Sequence, residues 1–572
     1  MRSLPRRVWH RLNPKRRPED PYPKWERLLR ADSRLWSEAV QNAKNGPRIL
    51  IATSAGGFRP GAIVESTLAA ALTLRGANVE ILLCDEVLPA CIQSLVTQSD
   101  AREQSSQPAA DRQQKKLCAG CFAPGHAMYQ SLGLPVHRYS QFISTEERAA
   151  ARALASTHPR NKISDYSLDG IAVGEHALAG ALRFFASGNL NAEPNAEPIL
   201  RRYFEASLLT TYATRRLLAT TDYDAACFHH GIYVPQGLIG EVARAKSVRV
   251  VNWNPAYRKQ CFIFSHHDTY HHTLLDEPIS HWENIEWNNA MEDELMDYLK
   301  SRWRGTQDWI WFHEKPEEDL ATIAAELGVD FSRPCIGMLT NVMWDAQLHY
   351  RANAFPNMLE WVIQTIRYFI GRPELQLLIR VHPAEIRGNL PSRQPLVAEI
   401  QRAFPHLPRN VIVIPPESQV STYAAMAQCD SVIIYGTKTG VELASMGIPT
   451  IVAGEAWIRN KGITNDAATA EQYFGLLDQL PGETRMSACE TERARKYAYH
   501  FFFRRMIPLS FMEESKGGAP FRLNLQSITE LLPGREPGLD VICNGILNGS
   551  EFIYPAEHGG KLSASEVMYA HS

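Results

Sequence analysis

Short apolar runs that alternate with helical segments constrain the fold of this chain most. Ser431 to Ile434 and Thr450 to Ala453 are two such runs, and a turn of small residues and a short helical segment lie between them. Apolar runs of this length are typical of strands that are buried on both faces of a parallel sheet. A strand, a helix and a second strand in this order predict a βαβ unit, and therefore an α/β fold.

The same alternation occurs in two parts of the chain. Apolar runs begin near Ile49, Val79, Tyr223 and Arg249 in the first part, and near Pro334, Leu375, Val411 and Ser431 in the second. The chain has 572 residues, which is long enough for two or three domains. We therefore predict two domains, each built on a doubly wound parallel sheet.

The expected division of the chain follows the composition of its segments. We expect six segments: a basic, proline-rich segment over 1–45, a first domain over 46–290 with a polar insert at 93–116, a linker over 291–330, a second domain over 331–485, a crossing helix over 486–516 and a tail over 517–572. The insert is rich in Gln, Ser and Ala, and we expect a flexible loop there.

The turn after Tyr435 is a candidate anion site. It consists of Gly436, Thr437, Lys438, Thr439 and Gly440. Free backbone N–H groups and the helix dipole both face such a turn between a strand and a helix. Glu442 lies one turn further along, where its carboxylate can accept hydrogen bonds from ribose hydroxyls. The alternative is an ordinary βαβ turn with a solvated Glu442.

A histidine follows another predicted strand. Leu375 to Val381 is apolar and leads into His382, Pro383, Ala384 and Glu385. Side chains at the carboxyl end of a parallel strand face the crevice in which open α/β sheets bind ligands. Pro383 ends the strand and fixes the direction in which the chain leaves it.

These motifs resemble those of nucleotide-sugar enzymes. The spacing Gly440-x-Glu442-x-x-x-x-Gly447-x-Pro449 resembles the nucleotide-sugar motif of GT-B glycosyltransferases and sugar-nucleotide 2-epimerases. His382-Pro383 followed by the hydroxyl-bearing turn resembles bacterial capsule polysaccharide biosynthesis proteins, whose relatives use cytidine monophosphate (CMP)-activated sialic acid or Kdo (3-deoxy-manno-octulosonic acid). That family usually has Ser-Ser or Ser-Thr in the turn, whereas this chain has Thr437-Lys438-Thr439. Lys438 also suits a diphosphate donor.

The resemblance implies a GT-B-like fold, in which two Rossmann-like domains face a cleft, and it implies roles for several residues. His382, with Pro383 and Glu385 beside it, would contact the donor phosphate, and the turn at Gly436 would hold it. Ser418 lies where such enzymes bind the nucleobase, and Gly56-Gly57 follows the first predicted strand, where a glycine loop lies close to the reacting centre. Candidates for the base that takes the acceptor proton are Asp268, His230 and His266.

The implied activity is transfer of a sugar from a nucleotide-activated donor to a surface polysaccharide or glycolipid acceptor, without a required cofactor. A CMP-sugar such as Kdo is favoured, and a nucleoside-diphosphate sugar is possible. Two other functions are alternatives. One is a 2-epimerase or a polyol-phosphate transferase on the same fold, and the other is a non-catalytic subunit of a capsule assembly complex.

Four cysteines form a second constellation. Cys118 and Cys121 have the two-residue gap of a metal knuckle, and Cys84 and Cys91 precede them. Four thiolates suit structural zinc or an iron–sulfur cluster. The alternative is four unligated cysteines. His266, His267, His271 and His272 also cluster, but we expect hydrogen-bonding contacts with substrate there rather than a metal.

Charge and hydropathy limit the partners and the location. The net charge is -2. The sequence lacks the basic stretches with interleaved aromatic residues that are typical of nucleic-acid-binding proteins, so we expect no nucleic-acid partner. No run reaches the ~18 apolar residues of a membrane span, and the N-terminus has no signal-peptide core, so we expect a cytoplasmic protein. The first thirty residues are strongly basic. They are interpreted as a disordered tail or as a peripheral contact with an anionic inner membrane.

Overall fold

The structure is a computed structural model that describes residues 22–95, 107–303, 307–309, 316–345, 353–388, 390–482, 485–515 and 520–560. Its strands are β1 (Arg48–Ser54), β2 (Asn78–Leu83), β3 (Val136–Arg138), β4 (Ala225–His229), β5 (Arg249–Pro255), β6 (Cys261–His266), β7 (Cys335–Leu339), β8 (Gln376–Arg380), β9 (Val411–Ile414), β10 (Ser431–Ile434), β11 (Thr450–Val452), β12 (Asn465–Asp466), β13 (Ile507–Pro508), β14 (Met512–Glu514) and β15 (Phe521–Leu523).

The α-helices alternate with these strands. They are α1 (Trp25–Ala31), α2 (Ser33–Asn42), α3 (Arg59–Leu74), α4 (Gln107–Gln130), α5 (Thr145–Thr157), α6 (Val173–Phe185), α7 (Ala196–Thr220), α8 (Gln236–Ala245), α9 (Tyr270–Leu275), α10 (Asn289–Trp303), α11 (Leu320–Leu327), α12 (Met358–Ile370), α13 (Ala384–Arg387), α14 (Leu396–Ala403), α15 (Thr422–Ala427), α16 (Thr439–Ser445), α17 (Ala470–Leu477), α18 (Ala488–Tyr499) and α19 (Pro537–Asn548). Within the described residues, no helix is both long enough and apolar enough to cross a bilayer.

Two large sheets organise the molecule, and the predicted α/β fold class is confirmed. The first sheet has the order β3-β2-β1-β4-β5-β6-β13, and the second has the order β9-β8-β7-β10-β11-β12. The second sheet is parallel throughout. In the first sheet the five strands β3, β2, β1, β4 and β5 are parallel to one another. β6 is antiparallel to both of its neighbours, β5 and β13. β14 and β15 form a separate hairpin.

Both sheets are covered on both faces, as the continuous apolar strands predict. Successive residues of β1 alternate between two cores, since Ile49 and Ile51 join one cluster and Leu50 and Ala52 join the other. In β7, Ile336 likewise packs into a different cluster from its neighbour Cys335. A strand that is buried on both faces has no polar side to turn to water, and this explains the unbroken apolar runs.

Each sheet has a topological switch point where its strand order reverses. It lies between β1 and β4 in the first sheet and between β7 and β10 in the second. Ligands of open α/β sheets bind outside the carboxyl ends of the strands at this point. The chain segments that leave β1, β4, β7 and β10 are therefore the places to look for a functional site.

The N-terminal segment differs from the expected basic tail. From Trp25 onward the chain forms α1 and α2, and Trp25, Leu29 and Trp36 are buried in the same core as β1. The apolar residues are spaced so that they form one face of each helix, and this face is buried. The surrounding arginines do not prevent this, because their charged ends stay at the surface. The rest of the predicted tail, residues 1–21, lies outside the described residues.

Three other segments also differ from the expected organisation. Residues 107–116 of the expected polar loop belong to α4, while 96–106 lie outside the described residues. The expected linker contributes α10, whose Leu295 and Tyr298 are buried in the core of the second sheet. The expected tail contains β15 and α19, and α19 buries Leu539 and Ile542 in the core of the first sheet.

The chain crosses back from the second sheet to the first near residue 500. α18 packs against α16, and a turn of π-helix over His500–Arg504 leads into β13, which pairs with β6. The first unit is therefore assembled from both ends of the sequence.

The burial of Trp25 gives a test of this assembly. Trp25 has 0% exposure, so Trp25→Ala should lower the free energy of unfolding by about 3–5 kcal/mol, as for other large-to-small core substitutions. Denaturant unfolding measures the change. Arg34→Ala on the exposed side of α2 is the matched control and should stay within about 0.5 kcal/mol. Equal, small effects of both substitutions would contradict the packing of this segment.

Candidate functional site

A cluster of aromatic and histidine side chains lies at the carboxyl end of β4. His229 ends the strand, and His230 and Gly231 follow with positive φ angles of 65° and 81°. This sharp turn directs the His230 ring toward Tyr233 and His271, with centroid separations of 5.0 and 6.3 Å. Burial lowers the pKa of His229 to about 3 and that of His230 well below its usual value, so both rings are neutral near pH 7.

The helix α9 brings two further histidines to this cluster. β6 runs antiparallel to β5, and α9 then returns along both strands. The Asp268 carboxylate is 3.0 Å from Nδ1 of His272. Burial raises the pKa of Asp268, but the hydrogen bond from His272 and the charge of that ring outweigh it and lower the pKa to about 2. Asp268 is therefore a weak base, and its carboxylate orients His272.

His266 lies apart from the cluster. Because β6 is antiparallel, His266 pairs with Val251 near the beginning of β5 rather than lying at the carboxyl edge of the sheet. Its ring stacks on Phe552 at 4.3 Å, and Nε2 is 2.8 Å from the carbonyl oxygen of Ser550. The antiparallel direction of β6 therefore corrects the expectation that His266 is a candidate base at the cleft.

Residues of the second unit close over the cluster. Nε2 of His272 is 3.7 Å from a carboxylate oxygen of Glu455, which follows β11. The rings of His271 and Trp457 are 5.6 Å apart. The Tyr233 hydroxyl donates to Asp345 at 3.1 Å. The carboxyl edges of the two sheets therefore meet in one cleft, as the predicted architecture requires.

The predicted turn after β10 lies at the other side of this cleft. The Gly436 N–H donates to Oδ1 of Asn341, which follows β7, so the turn sits at the switch point of the second sheet. Nζ of Lys438 lies 4.5 Å above the ring of Tyr257 from the first unit. Tyr257 also lies 6.1 Å from Trp457. The turn and the histidine cluster are thus linked through Tyr257 and Trp457.

Hydroxyl groups give the turn its internal hydrogen bonds. Oγ1 of Thr437 donates to the Thr439 hydroxyl at 3.3 Å and accepts the Thr439 N–H, also at 3.3 Å. Gly440 packs against Ile434, and a Cβ there would lie 2.4 Å from its Cδ1. A Cβ at this position would force the Ile434 side chain to shift, so glycine lets α16 start close to β10.

Glu442 is not placed as the ribose interpretation expected. It has 1% exposure, and its Oε1 is 2.9 Å from Nζ of Lys438 and 3.1 Å from Nε of Arg302. Burial raises the pKa of Glu442, but the charges of Arg302 and Lys438 outweigh it and lower the pKa to about 2. The carboxylate is thus bound by two cations inside the protein.

Arg302 is the residue that the sequence did not reveal. It lies in the last turn of α10, and it also pairs with Asp308, which accepts a hydrogen bond from Tyr298 at 2.9 Å. Both the guanidinium and its carboxylate partners are almost fully buried. No local motif marks Arg302, because its partner Glu442 lies 140 positions further along the chain and their contact depends on tertiary packing.

His382 lies where the motif predicted, at the end of β8. Its backbone N–H donates to Oγ1 of Thr340, and its Nδ1 accepts the Ala384 N–H at 3.1 Å. Burial and the nearby charges of Lys438 and Arg380 lower the pKa of His382 to about 4. The ring is neutral near pH 7, and its hydrogen lies on Nε2 because Nδ1 is an acceptor. Pro383 is the N-cap residue of α13 and turns the chain away from the strand.

Glu385 and Ser418 are engaged within the protein. The buried Glu385 carboxylate accepts the Leu396 N–H at 3.2 Å and so caps the start of α14. Burial raises the pKa of Glu385 to about 7. The Ser418 hydroxyl accepts the Val420 N–H, and its carbonyl oxygen accepts from Arg380. The cap on α14 accounts for Glu385 without a ligand, whereas Ser418 remains half-buried at the end of β9.

Gly56 and Gly57 pack against α4 instead of facing the cleft. A Cβ at Gly56 would lie 2.9 Å from the Cys121 carbonyl oxygen, and one at Gly57 would lie 3.0 Å from Cys121 Cα. The Gly57 N–H donates to Sγ of Cys121 at 3.0 Å. The two glycines therefore let a helix approach the turn closely, whereas the sequence led us to expect a phosphate or sugar in that place.

The four cysteines border one cavity at the carboxyl ends of β1 and β2. Burial raises the pKa of Cys91 and of Cys118 to about 11, and it raises the pKa of Cys84 and Cys121 as well. In the part of the chain that the structure describes, no group of three or more His, Cys, Asp or Glu side chains converges closely enough to share a metal ion.

Glu65 is a second buried acid that the sequence interpretation missed. It lies on α3 beneath β4, and its Oε1 accepts the Trp253 indole N–H at 2.9 Å. Burial raises the pKa of Glu65 to about 7, although hydrogen bonds from Thr53, Trp253 and the His229 backbone oppose that rise. The signal in the sequence was a single charged residue in the otherwise uncharged segment from Ala62 to Leu74.

Comparison with known proteins identifies no family. No family profile and no curated protein matches the chain. The KpsC beta Kdo 2,4 transferase of Thermosulfurimonas dismutans is 11% identical over 48% of this chain and 79% of its own, with a TM-score of 0.31. A putative UDP-N-acetylglucosamine 2-epimerase of Listeria monocytogenes is 10% identical over 79% and 90% of the two chains, with a TM-score of 0.24. A CDPS from Fluoribacter dumoffii is 12% identical over 38% and 90%, with a TM-score of 0.25. These low scores support no functional conclusion.

The pairing of Glu442 gives a stability prediction. Glu442→Gln removes the buried carboxylate that Lys438 and Arg302 share, so it should lower the free energy of unfolding by about 3–5 kcal/mol. The exposed pair of Arg34 and Glu38 on α2 is the control, and Glu38→Gln should cost less than about 1 kcal/mol. Denaturant unfolding of both variants measures this. A cost below about 1 kcal/mol for Glu442→Gln would return this carboxylate to a ligand-binding role.

The raised pKa of Glu65 gives a pH prediction. Because the folded-state pKa is above the unfolded value, its contribution to stability is complete below pH 4.5 and is lost as the pH rises through about 7. The loss amounts to about 3 kcal/mol by pH 8. Glu65→Gln cannot ionise, so the stability of this variant relative to the wild type should rise by that amount between pH 4.5 and 8. A difference that stays constant with pH would contradict the buried acid.

Proposed function

We propose that this chain transfers a sugar from a nucleotide-activated donor to an acceptor hydroxyl, in the cleft between its two sheets. The observation that carries the proposal is the meeting of the two carboxyl edges, where His272 faces Glu455 and Tyr233 donates to Asp345. Such a cleft lets one sheet bind the donor and the other bind the acceptor, and its closure excludes water from the transfer.

The second unit binds the donor in this proposal. Thr437 and Thr439 present hydroxyls at the switch point, and Lys438 supplies a cation that Glu442 holds in place. His382 carries its hydrogen on Nε2, which suits donation to a phosphate oxygen. Cations and N–H donors then stabilise the departing nucleotide phosphate, so the transfer needs no divalent metal.

The first unit supplies the base. His230 is neutral, and among the described residues its Nδ1 is buried without a hydrogen-bond partner. A neutral imidazole can take the proton of an acceptor hydroxyl as the sugar bond forms. Asp268 orients His272 beside it. His230 is therefore the first candidate for the catalytic residue, ahead of Asp268, because the Asp268 carboxylate is already bound to His272.

The resemblance of His382-Pro383 and the following turn to capsule polysaccharide proteins supports a finer proposal. The donor would be a CMP-sugar such as Kdo, or a nucleoside-diphosphate sugar, and the acceptor a surface polysaccharide or glycolipid. The basic N-terminal residues would then hold the protein at an anionic membrane surface. A 2-epimerase or polyol-phosphate transferase, and a non-catalytic assembly subunit, are the competing functions.

A nucleotide screen followed by product analysis tests the proposal. CMP, CDP, UDP and GDP are compared by thermal shift, because a ligand at about 100 times its dissociation constant stabilises by about 2.7 kcal/mol. The sugar nucleotide of the best ligand is then incubated with and without saccharide acceptors. We expect release of nucleotide and a glycosylated acceptor. An epimerised sugar nucleotide without acceptor would favour the epimerase, and no nucleotide binding would favour the non-catalytic subunit.

Histidine variants test the assignment of the base. His230→Ala should lower the rate of transfer by about 10²–10⁴-fold, the usual contribution of a general base, while nucleotide binding is kept. His266→Ala is the matched control, since this ring packs on Phe552 outside the cleft. Its transfer rate should stay near that of the wild type. A near-normal rate for His230→Ala would show that another group takes the proton.

A further inference from the structure

The two units also touch at a contact that lies outside the histidine cluster. Residues 186–193 of the first unit connect α6 to α7, and residues 392–394 of the second unit lie just before α14. We call these two segments together the clasp. The Arg393 N–H donates to the Ala186 carbonyl oxygen at 2.9 Å, so the two units are joined here by a backbone hydrogen bond.

Side chains add an ion pair and a second hydrogen bond to the clasp. Two guanidinium nitrogens of Arg393 donate to the two carboxylate oxygens of Glu193 at 3.1 and 2.8 Å. The Gly188 N–H donates to Oε1 of Gln394 at 3.0 Å. A bidentate pair fixes the direction of approach as well as the distance. Because the Arg393 side chain is 35% exposed, the pair can separate into water.

Each segment of the clasp is tied to its own unit. On the second unit, the Ser392 N–H donates to the Glu385 carbonyl oxygen at 2.7 Å, and the Trp344 indole N–H donates to the Ser392 hydroxyl at 3.0 Å. On the first unit, the Ser187 N–H donates to the Leu182 carbonyl oxygen in the last turn of α6 at 3.1 Å. Separation of the two segments therefore moves the units apart.

The cleft is closed where the clasp is engaged. Tyr233 and Trp457, which line the histidine cluster, are only 3% and 5% exposed. The Tyr233 hydroxyl donates to Asp345, and Met343 on the same segment packs beside Gly188, where a Cβ would lie 3.0 Å from the Met343 Cβ. The clasp thus adjoins the segment that covers Tyr233, and a molecule as large as a sugar can reach these rings only after the units separate.

We propose that the clasp is a gate, which holds the two units closed over the histidine cluster and must release before a substrate enters. Release breaks one ion pair and a few hydrogen bonds, and each of these contributes little net free energy against water. The gate can therefore open and close reversibly, and the closed form is the one that the structure shows. The inference concerns access to the cleft and does not depend on which reaction takes place there.

Hydrogen exchange in a charge-swap series tests the clasp itself. Glu193→Arg places two guanidinium groups against each other, so the Gly188 amide, whose bond to the second unit breaks on release, should exchange at least about fivefold faster. Glu193→Arg combined with Arg393→Glu restores opposite charges and should restore slow exchange. Arg215→Gln is the matched control, since Arg215 pairs with Asp169 within the first unit. Equal exchange at Gly188 in the wild type and in Glu193→Arg would overturn the proposal.

Hydroxyl-radical footprinting tests whether release of the clasp opens the cleft. Oxidation of an aromatic side chain follows its exposure to solvent, so Tyr233 and Trp457 should be oxidised several-fold faster in Glu193→Arg and should return to the wild-type rate in the double variant. Trp25 in the core of the first sheet is the internal control for unfolding and should stay protected. Faster exchange at Gly188 with unchanged oxidation of both cleft rings would overturn the gate.

A milder variant keeps the test decisive if the charge reversal prevents folding. Glu193→Gln removes the charge at nearly constant size, so it should raise the oxidation rates of Tyr233 and Trp457 by about 1.5–5-fold, the contribution of one such ion pair. A folded Glu193→Gln variant in which both rings are oxidised at the wild-type rate would overturn the proposal.

Discussion

The pairing of Glu442 with Lys438 and Arg302 holds the second sheet's switch point together. An unpaired carboxylate at 1% exposure would be very costly, so the placement of α16 beside β10 depends on these cationic partners. Lys438 comes from the turn itself, and Arg302 comes from α10, which makes that helix part of the second unit. Lys438 also lies over Tyr257 of the first unit, so the same network reaches the cleft.

The first sheet has a comparable acid with the opposite electrostatic surroundings. Glu65 lies on the helix that follows β1, and its partners are the neutral donors Trp253 and Thr53. Neutral donors do not offset burial, so the pKa of Glu65 rises to about 7, whereas two cations lower that of Glu442 to about 2. Each switch point thus has a buried carboxylate behind it, and the difference in their partners decides which one titrates near neutral pH.

The elements that depend on local sequence were predictable, and the contacts that depend on tertiary packing were not. The apolar runs predicted both sheets, because a strand that is buried on both faces must be apolar at successive positions. The motif at His382 likewise predicted its position at the end of a strand. The direction of β6 could not be read from its residues, and this direction moves His266 out of the cleft. Gly56-Gly57 was compatible with a ligand or with a packed helix, and the approach of α4 decided between them.

Amide hydrogen exchange tests most directly whether the cleft is the functional site. Exchange is measured with and without the nucleotide that stabilises the protein most. Binding in the cleft predicts slower exchange in the turn over 436–442 and at 382–385, together with slower exchange at 230–233 and 270–272 when a sugar-bearing nucleotide closes the two units. Protection confined to segments away from both switch points, with none of these four changed, would contradict the account.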